Sequence, residues 1–195
     1  MLKAKTAAES LAIHTEIVLP NDTNTLGNLM GDLCYQRANP VFNSRTGKNI
    51  DFAMFNYGGI RAGITKGDIK TENAFHLMPF ENSLVVLELT SEKIKELVNY
   101  LITEQRAHPL SKQFNLIITK NGYNLSINNK LFDITKTYFV LTSDYLQNGG
   151  DNMNFFKDPV NIENLDYKVR NAIIDYFQET DTIRGTLDGR FKTEK

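Results

Sequence analysis

Two apolar runs of strand length, at residues 51–56 and 83–89, dominate the pattern of this sequence. The first stops just before a double glycine at 58–59, which is typical of a buried strand that runs into a tight loop. The second comes directly before Thr90 and Ser91, either of which would cap a helix. We therefore expect two buried strands, one ending in a loop and one leading into an amphipathic helix.

Apolar residues at helical spacing predict two more helices. The first covers residues 25–38, with Asn24 or Thr25 as its cap and with Pro40 just past its end. The other covers about 167–177 and buries one apolar face. Helices are thus expected at both ends of the chain and in its middle.

A hairpin and a further strand complete the prediction. Residues 114–119 and 123–127 flank Asn121 and Gly122, whose tolerance of positive φ predicts a two-residue turn. A strand at 137–141 then leads into a loop with the sequence DYLQNGGD. After Thr180 the chain is polar, and we expect an extended strap or a frayed tail.

This mixture of strands and helices without strict alternation indicates an α+β fold. No repeat, low-complexity tract or linker-like stretch divides the chain, so we expect one domain over residues 1–195. With 41% hydrophobic residues, 195 residues suffice for one substantial core.

Composition narrows the possible partners. The 22 basic and 23 acidic residues give a net charge of -1, so we expect no nucleic-acid polymer as a partner. The longest apolar runs fall far short of the roughly 20 residues that span a bilayer, so no membrane span is expected. Residues 1–10 contain no apolar signal sequence, and the single Cys34 excludes an internal disulfide, which leaves the compartment open.

Three short motifs carry chemical groups beside turns. In NYGGIR, at 56–61, Gly58 and Gly59 would let the backbone approach a ligand closely, and Arg61 can make forked contacts to an anion. Asn56 adds an amide at the start of the motif. The motif therefore suits a phosphate or a ribose, although a glycine turn with a surface arginine has the same sequence.

The second motif, PFEN at 79–82, places the ring of Phe80 two residues before the amide of Asn82. An amide can donate to and accept from the edge of a nucleobase at once. Alone, this pattern is equally typical of a core phenylalanine followed by a turn-forming asparagine.

The third motif, DYLQNGGD at 144–151, combines Tyr145 with Gly149, Gly150 and Asp151. Two aromatic rings could clamp one base, because stacking contributes about 1 to 3 kcal/mol per base. A carboxylate after the glycines is suited to accept hydrogen bonds from two ribose hydroxyls. The alternative is an ordinary turn with a solvated carboxylate.

Taken together, NxGGIR, PFxN about twenty residues later and DxxxxGGD near the end resemble the C-terminal domain of the 5′-nucleotidase family. The similarity extends from TLGNLMGDL at 25–33 to DGRF at 188–191. In that family this domain binds the nucleoside, and a separate N-terminal metallophosphatase domain carries two metal ions that activate water. The resemblance implies an adenosine-like or AMP-like ligand and suggests a periplasmic or other extracytoplasmic location.

Residue by residue, the resemblance assigns the rings to the base, the amides to base and ribose, the guanidinium to the phosphate side and the carboxylate to the ribose. These residues are Phe80 and Tyr145, Asn82 and Asn56, Arg61, and Asp151. Tyr145 stands where phenylalanine is commoner in the family. The family also usually has an arginine just before its first helix, whereas PNDTN at 20–24 contains none.

The catalytic half of such an enzyme is not expected in this chain. His14, His76 and His108 are not grouped by any DxH, GNH or GHxH segment, so we expect structural or surface histidines and no metal. Cys34 is expected to be a buried, inert thiol. We therefore expect a nucleotide-binding chain that is inactive alone and that acts with a separate metallophosphatase subunit carrying two divalent metal ions. The alternatives are a non-catalytic nucleoside-binding module and a fragment of a full-length nucleotidase.

Overall fold

A computed structural model describes residues 5–7 and 25–194 of the chain. The helices are α1 (Thr25–Thr46), α2 (Thr71–Leu77), α3 (Ser91–Glu104), α4 (Asp144–Gln147) and α5 (Val169–Glu179). The strands are β1 (Lys5–Ala7), β2 (Phe52–Ala53), β3 (Gly67–Ile69), β4 (Ser83–Thr90), β5 (Phe114–Thr119), β6 (Gly122–Ile127), β7 (Lys130–Leu131), β8 (Thr137–Ser143), β9 (Asn161–Lys168), β10 (Thr182–Ile183) and β11 (Phe191–Thr193). The predicted α+β class is confirmed.

The central sheet has the order β2-β8-β4-β9. Strand β2 is parallel to β8, and β4 is antiparallel to both of its neighbours. The strand predicted at 83–89 is confirmed. The strand predicted at 51–56 is much shorter, because beyond Ala53 the chain leaves the ladder: Met54 forms an isolated bridge with Leu110, and Phe55 donates to the Pro109 carbonyl.

Helix α1 runs eight residues past its predicted end, through Pro40. Proline removes one helical hydrogen bond, but contacts beyond it stabilise the continuation. The buried Phe42 packs on the ring of Phe139 with centroids 5.4 Å apart, and Asn39 accepts a hydrogen bond from the Ile50 amide at 2.8 Å. Among the described residues, none of the helices combines the length and apolar character needed to cross a membrane.

The other two predicted helices are present. Thr90 caps α3, as one of the two predicted alternatives, because its hydroxyl accepts from the Lys93 amide. Helix α5 begins two residues later than predicted, at Val169. The sequence predicts that Tyr176 lies on the buried apolar face of this helix, but it is only half-buried, and the charged Arg170 is buried in addition.

A second sheet has the order β11-β5-β6-β7. The hairpin between β5 and β6 is present, but Thr119 pairs with Gly122. The two turn residues are therefore Lys120 and Asn121, one position earlier than predicted, and Gly122, with φ 142°, opens the next strand.

The tail forms a strap, which was one of the two predicted alternatives. Strand β10 pairs with β1, and β11 pairs with β5. Arg190, which is 3% exposed, makes ion pairs with Asp32 on α1 and with Asp188. These contacts tie the end of the described chain to its first helix.

Strand β9 and helix α2 were not predicted. Strand β9 is largely solvent-exposed, so its sequence lacks an apolar pattern, and its hydrogen bonds to β4 define it. Helix α2 buries only Ala74 and Leu77, so it leaves little apolar periodicity in the sequence. Cys34 is fully buried, as expected, and burial raises the pKa of its thiol.

Candidate functional site

The three motifs meet at one pocket with a volume of about 280 Å³. All six side chains proposed from the sequence line it, together with two of the four glycines. The lining residues are Asn56, Gly58, Gly59, Arg61, Phe80, Asn82, Tyr145 and Asp151. Gly149 and Gly150 do not line the pocket.

The central sheet brings these distant segments together at one edge. NYGGIR follows β2, and DYLQNGGD follows β8, which is parallel to β2, so both motifs leave the sheet at the same edge. PFEN comes directly before β4, which is antiparallel to β8, and Leu84 pairs with Ser143. The start of β4 therefore lies beside the end of β8.

Asp151 is the most constrained of the pocket residues. Its Oδ2 accepts from the amide of Asn56 at 2.7 Å, and its Oδ1 accepts from the hydroxyl of Tyr145 at 2.9 Å. Its backbone carbonyl accepts from the hydroxyl of Tyr100 at 3.0 Å. Asp151 has a left-handed backbone with φ 51°, a conformation that persists when surrounding contacts enforce it. Two donors thus fix the carboxylate, and a third holds the backbone of the same residue.

The Tyr145 ring is fixed from a second direction. A Cβ atom on Gly150 would lie 2.4 Å from the ring, so only glycine allows the backbone to approach it this closely. The hydrogen bond to Asp151 raises the pKa of the Tyr145 hydroxyl. Gly150 thus packs against the Tyr145 ring and helps to hold it in place. Gly149, at φ 88°, makes the turn that brings Gly150 to the ring.

The PFEN segment contributes a ring and an amide to the lining of the pocket. The rings of Phe80 and Tyr145 are 41% and 45% exposed. The side-chain amide of Asn82 forms no hydrogen bond within the part of the chain that the structure describes. An exposed ring and an unpaired amide are both available to a ligand.

Arg170 holds the backbone of this segment, although it belongs to none of the three sequence motifs. Its guanidinium is buried and donates to the carbonyls of Pro79 and Phe80 at 3.2 and 3.4 Å. It also pairs with Glu81, and this contact lowers the pKa of that carboxyl. A buried arginine on α5, about ninety residues away in sequence, therefore positions Phe80.

Arg61 lies at the rim of the pocket. Its backbone amide donates to the Leu77 carbonyl at 2.9 Å, which anchors the end of NYGGIR. Its side chain is exposed, donates weakly to the Gly58 carbonyl at 3.4 Å and lies 6.0 Å from the centroid of the Phe80 ring. Most of its five N–H donors remain available for an anion.

His108 lies behind the NYGGIR loop. Its Nδ1 accepts from the backbone amide of Tyr57 at 3.2 Å, and its ring packs against Tyr100 at 5.5 Å. Its Nε2 is buried with no hydrogen-bond partner among the described residues. Burial, assisted by the charge of Arg106, lowers the pKa of His108 to about 4. The histidine is therefore neutral and supports the pocket loops from behind.

The other two histidines lie away from the pocket or outside the described residues. His76 is exposed on α2, whereas His14 and the segment 20–24 lie outside the described residues. Within residues 5–7 and 25–194, no three His, Cys, Asp or Glu side chains are grouped as metal ligands. This part of the chain does not fit a di-metal centre.

Comparison with known sequences assigns this chain to a protein family. The family model described as "5′-nucleotidase, C-terminal domain" matches residues 6–158. The chain is 31% identical over 172 residues to the trifunctional nucleotide phosphoesterase protein YfkN of Bacillus subtilis. This match covers 78% of this chain and 11% of that protein. It is 35% identical over 114 residues to protein UshA of Escherichia coli, covering 55% of this chain and 20% of UshA.

Solved structures share the fold. A 5′-nucleotidase precursor from Thermus thermophilus superposes with a TM-score of 0.77 at 22% identity, over 97% of this chain and 39% of that one. The NAD nucleotidase of Haemophilus influenzae superposes with a TM-score of 0.62 at 15% identity, over 96% of this chain and 38% of that one. The chain thus spans well under half the length of each of these relatives.

Proposed function

The chain belongs to the 5′-nucleotidase C-terminal domain family, and from this premise we propose that it is the nucleoside- and nucleotide-binding domain of a 5′-nucleotidase-type phosphohydrolase. The observation that carries the proposal is the convergence of two exposed rings, an unpaired amide and a fixed carboxylate on one pocket of about 280 Å³. Aromatic rings and an amide are the groups that would contact a base, and a carboxylate is the group that would accept from sugar hydroxyls.

Each group has a distinct part in the proposed complex. The base stacks against Phe80 and Tyr145, and the amide of Asn82 pairs with its edge. Asp151 accepts hydrogen bonds from the ribose hydroxyls, with Asn56 beside it. Arg61, at the rim, contacts the phosphate of a nucleotide.

We propose further that hydrolysis requires a metallophosphatase domain with two divalent ions, provided by a separate chain. More than half of the Thermus 5′-nucleotidase precursor lies outside the superposed region, so this chain corresponds to only part of that protein. Phosphate release from AMP would be measured for this chain alone and mixed with such a phosphoesterase chain. Release by the purified chain alone would refute the division into two chains.

Calorimetric titration of adenosine and then AMP, without metal, tests the binding proposal. We expect saturable binding of both, with AMP tighter, and we expect Arg61→Gln to remove only the advantage of AMP. Arg184→Gln, which changes an exposed arginine outside the pocket, is the matched control and should change neither affinity. Absence of binding by either compound would refute the proposal.

The same titration distinguishes the nucleotidase domain from a second candidate function, that of a non-catalytic nucleoside-binding module. The sequence observation that favours it is the absence of arginine from residues 20–24, where the family usually has a phosphate contact. A nucleoside carrier needs no phosphate recognition, so equal affinities for adenosine and AMP would support this candidate. Tighter AMP binding that depends on Arg61 supports the nucleotidase domain.

A further inference from the structure

The hydroxyl of Tyr145 is the feature of the pocket that the proposed function leaves unexplained. A phenylalanine would give the same stacking surface, and its position would still be fixed by the close approach of Gly150. The hydroxyl adds one interaction, the donation to Oδ1 of Asp151 at 2.9 Å. Its effect is therefore exerted on the carboxylate and not on the base.

That donation leaves a defined set of acceptor positions. An ionised carboxylate has about four, two on each oxygen. Tyr145 uses one on Oδ1, and Asn56 uses one on Oδ2. One acceptor position on each oxygen remains, which suits a ligand that brings two hydroxyl donors on adjacent atoms.

The hydroxyl also fixes the plane of the carboxylate. With Asn56 as its single side-chain partner, Asp151 could rotate about its terminal bond, which has a broad torsional minimum. A second donor on the other oxygen removes this freedom before a ligand binds. Preorganised acceptors discriminate strongly against an analogue that lacks a donor, because an acceptor is then left unpaired.

Building on the proposed function, we propose that the Tyr145 hydroxyl is a specificity-determining group that sets Asp151 to accept a vicinal diol. The pocket thereby selects ribonucleosides over 2′-deoxyribonucleosides. The ring of Tyr145 contributes to affinity for both classes of nucleoside, and the hydroxyl contributes to the difference between them.

The test compares adenosine with 2′-deoxyadenosine by calorimetry on the wild-type chain and on Tyr145→Phe. We expect the wild type to bind adenosine at least about tenfold more tightly. In Tyr145→Phe this ratio should fall to about twofold or threefold, with the affinity for 2′-deoxyadenosine nearly unchanged because the stacking ring is retained. Thermal melting confirms that the variant is folded.

Tyr167→Phe is the matched control. It also removes a tyrosine hydroxyl that donates to a carboxylate, that of Asp175, but this pair is outside the pocket lining. It should keep the wild-type ratio.

Two results would overturn the inference. They are a wild-type ratio near one and an unchanged ratio in Tyr145→Phe, whether or not that variant loses affinity equally for both nucleosides. If the wild type binds neither nucleoside, the proposed function fails as well, whereas binding without discrimination refutes this inference alone.

Discussion

The two sides of the pocket differ in how much of their hydrogen bonding is complete within the protein. On the carboxylate side, formed by Asn56, Tyr145 and Asp151, every side chain bonds to another member of the group. On the amide side, formed by Phe80 and Asn82, the ring is 41% exposed and the amide has no partner among the described residues.

This difference indicates how recognition is divided. The carboxylate side is already ordered, so it can discriminate between sugars at little entropic cost on binding. On the amide side Arg170 holds the backbone, but under the proposed function the ligand orders the side chains of Phe80 and Asn82, and stacking accepts any base. A pocket of this kind is expected to be strict toward the sugar and permissive toward the base.

Acid should weaken the support that His108 gives to the NYGGIR loop behind the pocket, and this is the largest effect that we expect. Neutral His108 accepts from the Tyr57 amide, and protonation would remove that acceptor. Burial, together with the charge of Arg106, lowers the pKa of His108 to about 4 from an ordinary value of 6.5, and Asp151 opposes the change. Between these two pH values the unfolded chain binds a proton that the folded chain does not.

The contribution of His108 to the free energy of unfolding is therefore complete above about pH 6.5 and is lost as the pH falls to about 4. At about 1.4 kcal/mol per pH unit, the loss is about 3 kcal/mol. Urea denaturation at pH 7, 5 and 4 measures it. His108→Gln should flatten this pH dependence, whereas His76→Gln, at an exposed position, should not; a flat wild-type profile would contradict the prediction.

Gly150→Ala should separate binding from stability on the carboxylate side. The new Cβ would lie 2.4 Å from the Tyr145 ring, which is half-exposed and can swing away. The stacking face and the donation to Asp151 are then lost together, so we expect adenosine affinity to fall about 30-fold. The free energy of unfolding should change by less than about 1 kcal/mol.

A matched glycine provides the control. A Cβ on Gly58 would meet the nearest carboxylate oxygen of Asp151 at 3.4 Å, an ordinary contact, so Gly58→Ala should reduce adenosine affinity only slightly. Equal effects of the two substitutions on binding would show that the position of the ring is not what matters.

The elements that carry the amide side of the pocket could be predicted from the pattern of apolar and capping residues in the sequence. Strand β4 and helix α3 follow from an apolar run and a capping threonine, because burial and capping leave a direct signal in nearby residues. Helix α1 was underestimated because Pro40 is a strong local stop signal, whereas the packing of Phe42 that overrides it is tertiary.

The support of the pocket could not be predicted in the same way. Tyr100 and His108 lie about fifty residues from the loops that they contact, and Arg170 lies about ninety residues from the carbonyls that it holds. No local pattern encodes contacts of such separation. The six lining side chains could be selected because each belongs to a short motif and the three motifs together resemble those of a known family.

Phe80→Ala should weaken binding without affecting the discrimination between sugars. Removing one of the two rings eliminates a stacking contribution of about 1 to 3 kcal/mol, so we expect roughly a tenfold loss of affinity. Because the ring is 41% exposed, stability should hardly change. Calorimetry with adenosine and 2′-deoxyadenosine should show the same loss for both, and Leu187→Ala, at another exposed apolar position, should show none.

A larger loss for adenosine than for 2′-deoxyadenosine would mean that Phe80 also orders the sugar. The two sides of the pocket would then act as one unit, and the division between them would be wrong.

Asn82→Ala should have the smallest effect and should be confined to the base. The amide has no partner among the described residues, so its loss leaves no buried group unpaired and should not destabilise the fold. One net hydrogen bond to the ligand is worth about 1 kcal/mol, which predicts about a fivefold loss for adenosine. Purine riboside, which lacks the 6-amino group, should be affected less.

The comparison is sharpest when Asn82→Ala and Tyr145→Phe are measured together. Asn82→Ala should reduce the preference for adenosine over purine riboside and keep the preference over 2′-deoxyadenosine. Tyr145→Phe should do the reverse. If either variant changed both preferences, the carboxylate of Asp151 and the amide of Asn82 would be coupled through the bound nucleoside, and strictness toward the sugar could not be assigned to one side of the pocket.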